Sequence, residues 1–164
     1  MNIIEKSEAI RIGLRKGFQD GTSKMAQRRC YGYNTGLDGE LVINPDEAAV
    51  VRWVFDRYLS GDSLGKIATG LEEQGIPSPT GRPMWNREVL NKLLSNEKYT
   101  GRVLLPKTVS AKSSKFKNGD LMPRYLYSDS HEPIIPDKIF KAVQQEKKLR
   151  TNCPNKVIAI QEFF

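Results

Sequence analysis

Trp85-Asn86-Arg87-Glu88-Val89-Leu90-Asn91-Lys92-Leu93-Leu94-Ser95 is the stretch on which the fold turns, and it reads as a short helix with two unlike faces. Val89, Leu90, Leu93 and Leu94 fall at the three- and four-residue spacings that make one apolar stripe. Arg87, Asn91 and Lys92 project elsewhere. Asn86 suits the N-cap, where a short polar side chain accepts from an orphan backbone N–H and contributes about 1 kcal/mol. Trp85 and Leu90 then occupy the two positions of a hydrophobic staple. An apolar back with a front carrying Asn and Arg is what a major-groove helix requires. Asn pairs bidentately with adenine and Arg with guanine. The same pattern also describes an ordinary surface helix with a solvated face, so the surroundings decide.

Immediately upstream, residues 76–84 (Ile-Pro-Ser-Pro-Thr-Gly-Arg-Pro-Met) contain three prolines and a glycine and are excluded from helix. Before them Leu64, Ile67, Ala68 and Leu71 give a second helix its apolar stripe, capped by Asp62 or Ser63 and followed by Gly75 at a C′ position. Further back, Asn44-Pro45-Asp46-Glu47 is a helix start: a cap, an N1 proline and acids at the positive end, with Glu47 placed for a capping box. That helix runs to about Ser60, buries Val50, Val51, Val54, Phe55 and Tyr58, and stops at Gly61. Three successive shortening helices, the last with a polar front, follow helix-turn-helix logic with an unusually long connector.

Downstream, Arg102-Val103-Leu104-Leu105 reads as a strand and Tyr125-Leu126-Tyr127 as its return. Between them, residues 107–119 carry Lys107, Lys112, Lys115 and Lys117 and read as a long basic hairpin tip. This is either a wing along phosphates or a solvated loop that orders on binding. Pro133-Ile134-Ile135-Pro136-Asp137 introduces a last helix to about Arg150, and residues 151–164 read as a tail. At the other end residues 3–18 look helical but thinly apolar, followed by a loose stretch with Arg28, Arg29, Tyr31 and Tyr33. That stretch either meets phosphate through its arginines or is a loop pinned by its rings. Gly36–Ile43 forms a turn and a short strand.

Charge sharpens the choice. The 164 residues carry a net +7, and residues 77–128 alone hold ten Lys/Arg against three Asp/Glu, an excess equal to the whole net charge. Such clustering beside a candidate reading helix points to a polyanion, most simply nucleic acid. Cys30 and Cys153 stand far apart with no C-x-x-C pair, which argues against a zinc site or a disulfide framework. No apolar run reaches the roughly 20 residues of a membrane span and no secretory segment opens the chain, so a cytoplasmic protein without a membrane partner is expected.

The ordered series of residues resembles the DNA-binding recombinase domain of large serine recombinases, the serine integrase type. Its carriers are Tyr31-Gly32-Tyr33, Asn44-Pro45-Asp46-Glu47-Ala48 through Val51 and Phe55, and Tyr58-Leu59-Ser60-Gly61. They continue with Ile67-Ala68, Leu71, Gly75 through Gly81, Trp85, Leu94, Asn96, Tyr99-Thr100-Gly101 and His131 through Ile135. The resemblance covers roughly residues 7–150. It implies a mainly α fold with a small β component, helix-turn-helix or winged-helix-like. It also implies a division into 1–24 (helix and linker after an absent catalytic domain), 25–130 (the recombinase domain) and 131–164 (a helix and tail leading to an absent zinc ribbon). Cys30 departs from the family, which usually has proline before Tyr-Gly-Tyr.

The expected function is recognition of an attachment half-site in double-stranded DNA, without cofactor or metal, by part of a protein that works as a dimer or tetramer on DNA. Arg87 and Asn91, with Asn86 and Lys92 beside them, are the candidate base readers. Arg82, Lys107, Lys112 and Lys115 are the candidate phosphate contacts, and Ser95 and Arg102 complete the set. Independent catalysis has little to stand on: His131 is the only histidine and sits in a turn setting, and no phosphate-binding glycine signature is present. The remaining rival is a protein-interaction module whose basic arm meets an acidic partner.

Overall fold

In the computed structural model, the predicted helix of the opening stretch is α4, Arg87–Leu94. The structure describes residues 3–20, 30–105, 108–111, 114–117 and 125–151. The chain folds into two units, each assembled from two sequence-distant segments: Met1–Pro45 with Glu97–Pro133, and Asp46–Asn96 with Ile134–Phe164. The fold is mainly α with a small β component.

The second unit contains α2 (Pro45–Leu59, its first residue aside), α3 (Leu64–Glu73), α4 and α5 (Asp137–Thr151). The expected stripes form its core. Val51, Val54, Phe55, Tyr58, Ile67, Leu71, Leu90, Leu93, Leu94 and Val143 are all buried. Each such side chain contributes about 1.5–3 kcal/mol when withdrawn from water. Val50, expected in the core, is only half-buried.

Both predicted helix stops are of one kind. Gly61 and Gly75 have φ of 102° and 69°, the left-handed region that glycine enters without a Cβ clash. At each, two backbone bonds close the helix end. Gly61 N–H and Asp62 N–H donate to Tyr58 O and Arg57 O; Gly75 N–H and Ile76 N–H donate to Glu72 O and Leu71 O. This is the Schellman pattern. Ser63, not Asp62, caps α3, accepting from Lys66 N–H at 3.2 Å. Asp62 instead lies buried between Arg57 and Lys66, at 2.6 and 2.9 Å. The Lys66 hydrogen bond, first among several causes, holds its carboxyl below the usual carboxylate range.

Arg150 of α5 ties this corner together. Its guanidinium donates to Asp62 O and Tyr58 O, both at 2.8 Å, and stacks 4.0 Å from the centre of the Tyr58 ring. A planar fork of fixed donors can satisfy two carbonyls and a ring face together, which a lysine cannot.

The first unit holds α1 (Ile3–Asp20), β1 (Tyr33–Thr35), β2 (Leu41–Ile43), a 3₁₀ turn (Glu97–Thr100) and four further strands. Ile10, Ile12 and Leu14 of α1 are exposed, in keeping with its thin apolar content. β1 and β2 pair antiparallel, Asn34 opposite Val42. β3 (Val103–Leu105) pairs antiparallel with β6 (Tyr125–Tyr127), Leu104 opposite Leu126, as the returning-strand reading expects. The basic stretch between them differs from a featureless tip. β4 (Thr108–Ala111) and β5 (Ser114–Lys117) form a hairpin of their own, Val109 opposite Phe116. Alternation of Thr-Val-Ser-Ala against Ser-Lys-Phe-Lys supplies the period of two that a strand pair needs. In the sequence the lysines mask that alternation.

Tyr33 decides the loose tyrosine stretch in favour of ring anchoring at that residue. It is fully buried and its hydroxyl lies 2.8 Å from Glu132 O and 3.2 Å from Lys98 O. It stacks on Tyr99 and meets the His131 ring edge-on at 4.8 Å. Arg28 and Arg29 lie outside the described residues.

Candidate nucleic-acid interface

An eight-residue helix is too short to persist by itself, so α4 depends on what holds it. At its start Asn86 Oδ1 accepts from Glu88 N–H at 2.8 Å, the predicted cap. Trp85, 5% exposed, clasps the connector: its indole N–H donates to Ile76 O at 2.8 Å, and its backbone N–H to Glu72 Oε1 at 2.9 Å. The connector folds on itself as well. Ser78 is buried, accepts from Arg82 N–H and bonds Thr80 Oγ1, so its hydroxyl serves the turn.

At the far end all four last carbonyls of α4 find donors. Lys147 Nζ and Ser95 Oγ reach Asn91 O at 3.2 and 3.0 Å. Ser95 and Asn96 N–H reach Lys92 O and Leu93 O, both at 3.2 Å. Gln144 Nε2 reaches Leu94 O at 2.7 Å. Lys147 also donates to Ser95 Oγ. With its last carbonyls satisfied, the C-terminal turn of the helix is held against fraying. Gln144 and Lys147 are absent from the sequence-derived set. They lie on α5, more than 45 residues from the groups they hold, and only their spacing beside Val143 on one face of that helix hints at a shared inner side.

Leu90, Leu93 and Leu94 face inward, and Val89 is half-buried. Asn86, Arg87, Glu88, Asn91, Lys92 and Ser95 are exposed. Their availability differs. Asn86 Oδ1 belongs to the cap, and bidentate pairing with a base would compete for that atom. Ser95 Oγ is engaged by Asn91 O and Lys147. Lys92 pairs with Glu88 at 2.9 Å, a bond that is the first cause of the lowered Glu88 pKa. Such exposed pairs are screened by solvent and open readily, yet at rest this one cancels the Lys92 charge. Arg87 and Asn91 are the polar groups that the outer face presents most directly.

The guanidinium of Arg87 lies over the backbone of α3 at Gly65. Arg82 is exposed on the connector, and Arg102 is half-buried beside β3 in the first unit. Lys107 and Lys112 lie outside the described residues, as does the side chain of Lys115, whose backbone pairs opposite Ser110 in the β4–β5 hairpin. Lys98, counted in the basic excess of residues 77–128, is buried in the 3₁₀ turn. No group of metal-binding side chains occurs among the described residues, and none of their helices is long and apolar enough to cross a membrane.

A short helix held by its apolar side, following two others across a folded connector, places the second unit in the helix-turn-helix class. Residues 45–150 match the family described as Recombinase, and the chain belongs to that family. The chain is similar to one in a crystal structure of an LSR–DNA complex, at 25% identity and a TM-score of 0.55 over 77% of this chain and 34% of the other. It is also similar, at 25% identity and a TM-score of 0.59, to a chain from a structure on the sequence requirements of the Listeria innocua prophage attP site. That match covers 90% of this chain and 54% of the other, so the present chain spans about a third to a half of these relatives.

Proposed function

We propose that this chain is a DNA-binding region of a site-specific serine recombinase and that α4 reads an attachment half-site from the major groove. The observation that carries the reading is the sidedness of α4: three leucines buried, Arg87 and Asn91 exposed, both helix ends tied off. A fixed rod with a free polar face loses little on docking, which is what base discrimination demands. Arg87 pairs with guanine and Asn91 with adenine. Arg82, Arg102, Lys107, Lys112 and Lys115 hold phosphates and set the register. The likeness to an LSR–DNA complex supports the same reading. The complete recombinase would act as a dimer or tetramer on its site.

The test is enrichment of duplexes from a random-sequence pool, followed by anisotropy titrations on the enriched duplex and a scrambled one. The chain should enrich a defined motif, and Arg87→Ala should lose about 1–3 kcal/mol of discrimination at one base pair. An interaction module with a basic arm would instead bind heparin and every duplex alike.

A further inference from the structure

A side chain can be aimed by a neighbour that is missing as well as by one that is present. Gly65 stands in the first turn of α3 with ordinary helical backbone, where a glycine is the weaker choice for stability. An alanine methyl placed there would lie 2.9 Å from Arg87 Nη2, 3.2 Å from Nε and 3.3 Å from Cζ. Three guanidinium atoms at such distances mean that the plane of the group passes over the space a side chain would fill. Among the described residues, and apart from the adjoining backbone of α3 itself, no atom lies nearer to the site than these three of Arg87.

We propose that Gly65 is a specificity-positioning residue: the bare backbone of α3 forms the floor on which the Arg87 guanidinium rests, and this fixes where that group sits on the outer face of α4. The inference builds on the reading of α4 as the recognition helix. Arg87 is exposed, and without a floor its long side chain samples many rotamers, a freedom that must be given up on docking. The flat surface of Gly65 removes part of that freedom in advance. Because the clash falls on the far end of a flexible side chain and not on backbone, Gly65→Ala leaves the helices in place and moves only Arg87.

This gives the substitution an unusual signature. Alanine in place of glycine favours the helix, so the melting temperature should hold or rise while discrimination falls. The full chain and its Gly65→Ala, Arg87→Ala and doubly substituted variants are titrated on the duplex enriched by the unsubstituted chain. The same four are titrated on that duplex altered at the base pair most sensitive to Arg87→Ala. Gly65→Ala should lose about threefold or more of the discrimination, part of the about 5- to 150-fold lost by Arg87→Ala. It should add nothing in the Arg87→Ala background. A shift of the Arg87 Nε–Hε resonance in Gly65→Ala, with the remaining spectrum unmoved, reports the displacement without DNA. If the unsubstituted chain discriminates and Gly65→Ala discriminates equally well, the floor has no role and the inference is overturned alone. If the unsubstituted chain shows no base preference, the reading of α4 fails and takes this inference with it.

Discussion

His131 illustrates how one residue can be read correctly in kind while its partners stay hidden. A lone histidine next to Glu132-Pro133 reads as a turn residue, and it packs edge-on against Tyr33 with Nε2 at Lys98 O. Burial, the largest cause, pushes its pKa below the ordinary value, opposed by the Lys98 carbonyl. Among the described residues Nδ1 is buried without a hydrogen-bond partner, and none of them offers an acceptor to a second ring proton. The unfolded chain, titrating near about 6.5, therefore binds the proton more readily than the folded one. The stabilisation is complete above that unfolded value and fades as pH falls through it and then through the lower folded value. Melting temperatures followed from pH 8 to pH 5 should drop below about pH 6.5, and His131→Gln should flatten that part of the curve. Equal slopes for both proteins would mean that the imidazole is not held neutral in the fold. At this scale Trp85 was recognisable as an anchor from its type and setting, and Tyr33 as one of two alternatives, an anchor or a neighbour of phosphate-binding arginines. The receivers of their hydrogen bonds were not, because Glu132 O is backbone 99 residues away from Tyr33. Gly65 was silent for a related reason: a glycine inside a helical stripe does not say whose atoms occupy its missing side chain.

Helices wrote their limits into the local sequence and strands did so less clearly. The Asn44-Pro45-Asp46-Glu47 start, the glycines at 61 and 75, and the Asn86 cap are contact-independent signals, since each acts on backbone within a few residues. The β4–β5 hairpin competes with a strong charge signal, and α5's hold on α4 depends on groups that only folding brings together. The candidate site was legible as a face but not as a ranking: Asn86, Ser95 and Lys92 share the exposed surface of Arg87 and Asn91, yet each already has a bond to keep. Asn86 separates these roles at the level of the element. If its service is to cap α4, Asn86→Ser retains both the melting temperature and DNA affinity, because serine accepts from the same N–H. Asn86→Ala should lose about 0.5–2 kcal/mol of stability. A serine variant that keeps its stability but loses discrimination at an adenine would return Asn86 to the reading set.

For the molecule as a whole, the basic excess is smaller in use than in count. Residues 77–128 hold ten cations. Of these, Lys98 is buried, Lys92 is paired with Glu88, and Arg87 is directed to a base in the proposed complex. Counterion release counts only the charges that reach phosphates, each steepening the fall of log K with log salt by about 0.9. Arg82, Arg102, Lys107, Lys112 and Lys115 together predict a slope of about −4.5, whereas all ten cations acting on phosphates would give about −9. Lys112→Ala should reduce the slope by about 1 and weaken cognate and scrambled duplexes alike, while Arg87→Ala should leave the slope in place and narrow the gap between the two. Titrations across a range of salt thus separate the two kinds of positive charge by a quantity that total affinity conceals. A slope near the larger value, or equal losses on both duplexes for Arg87→Ala, would mean that the charge acts as one diffuse field and that α4 contributes to it without reading bases.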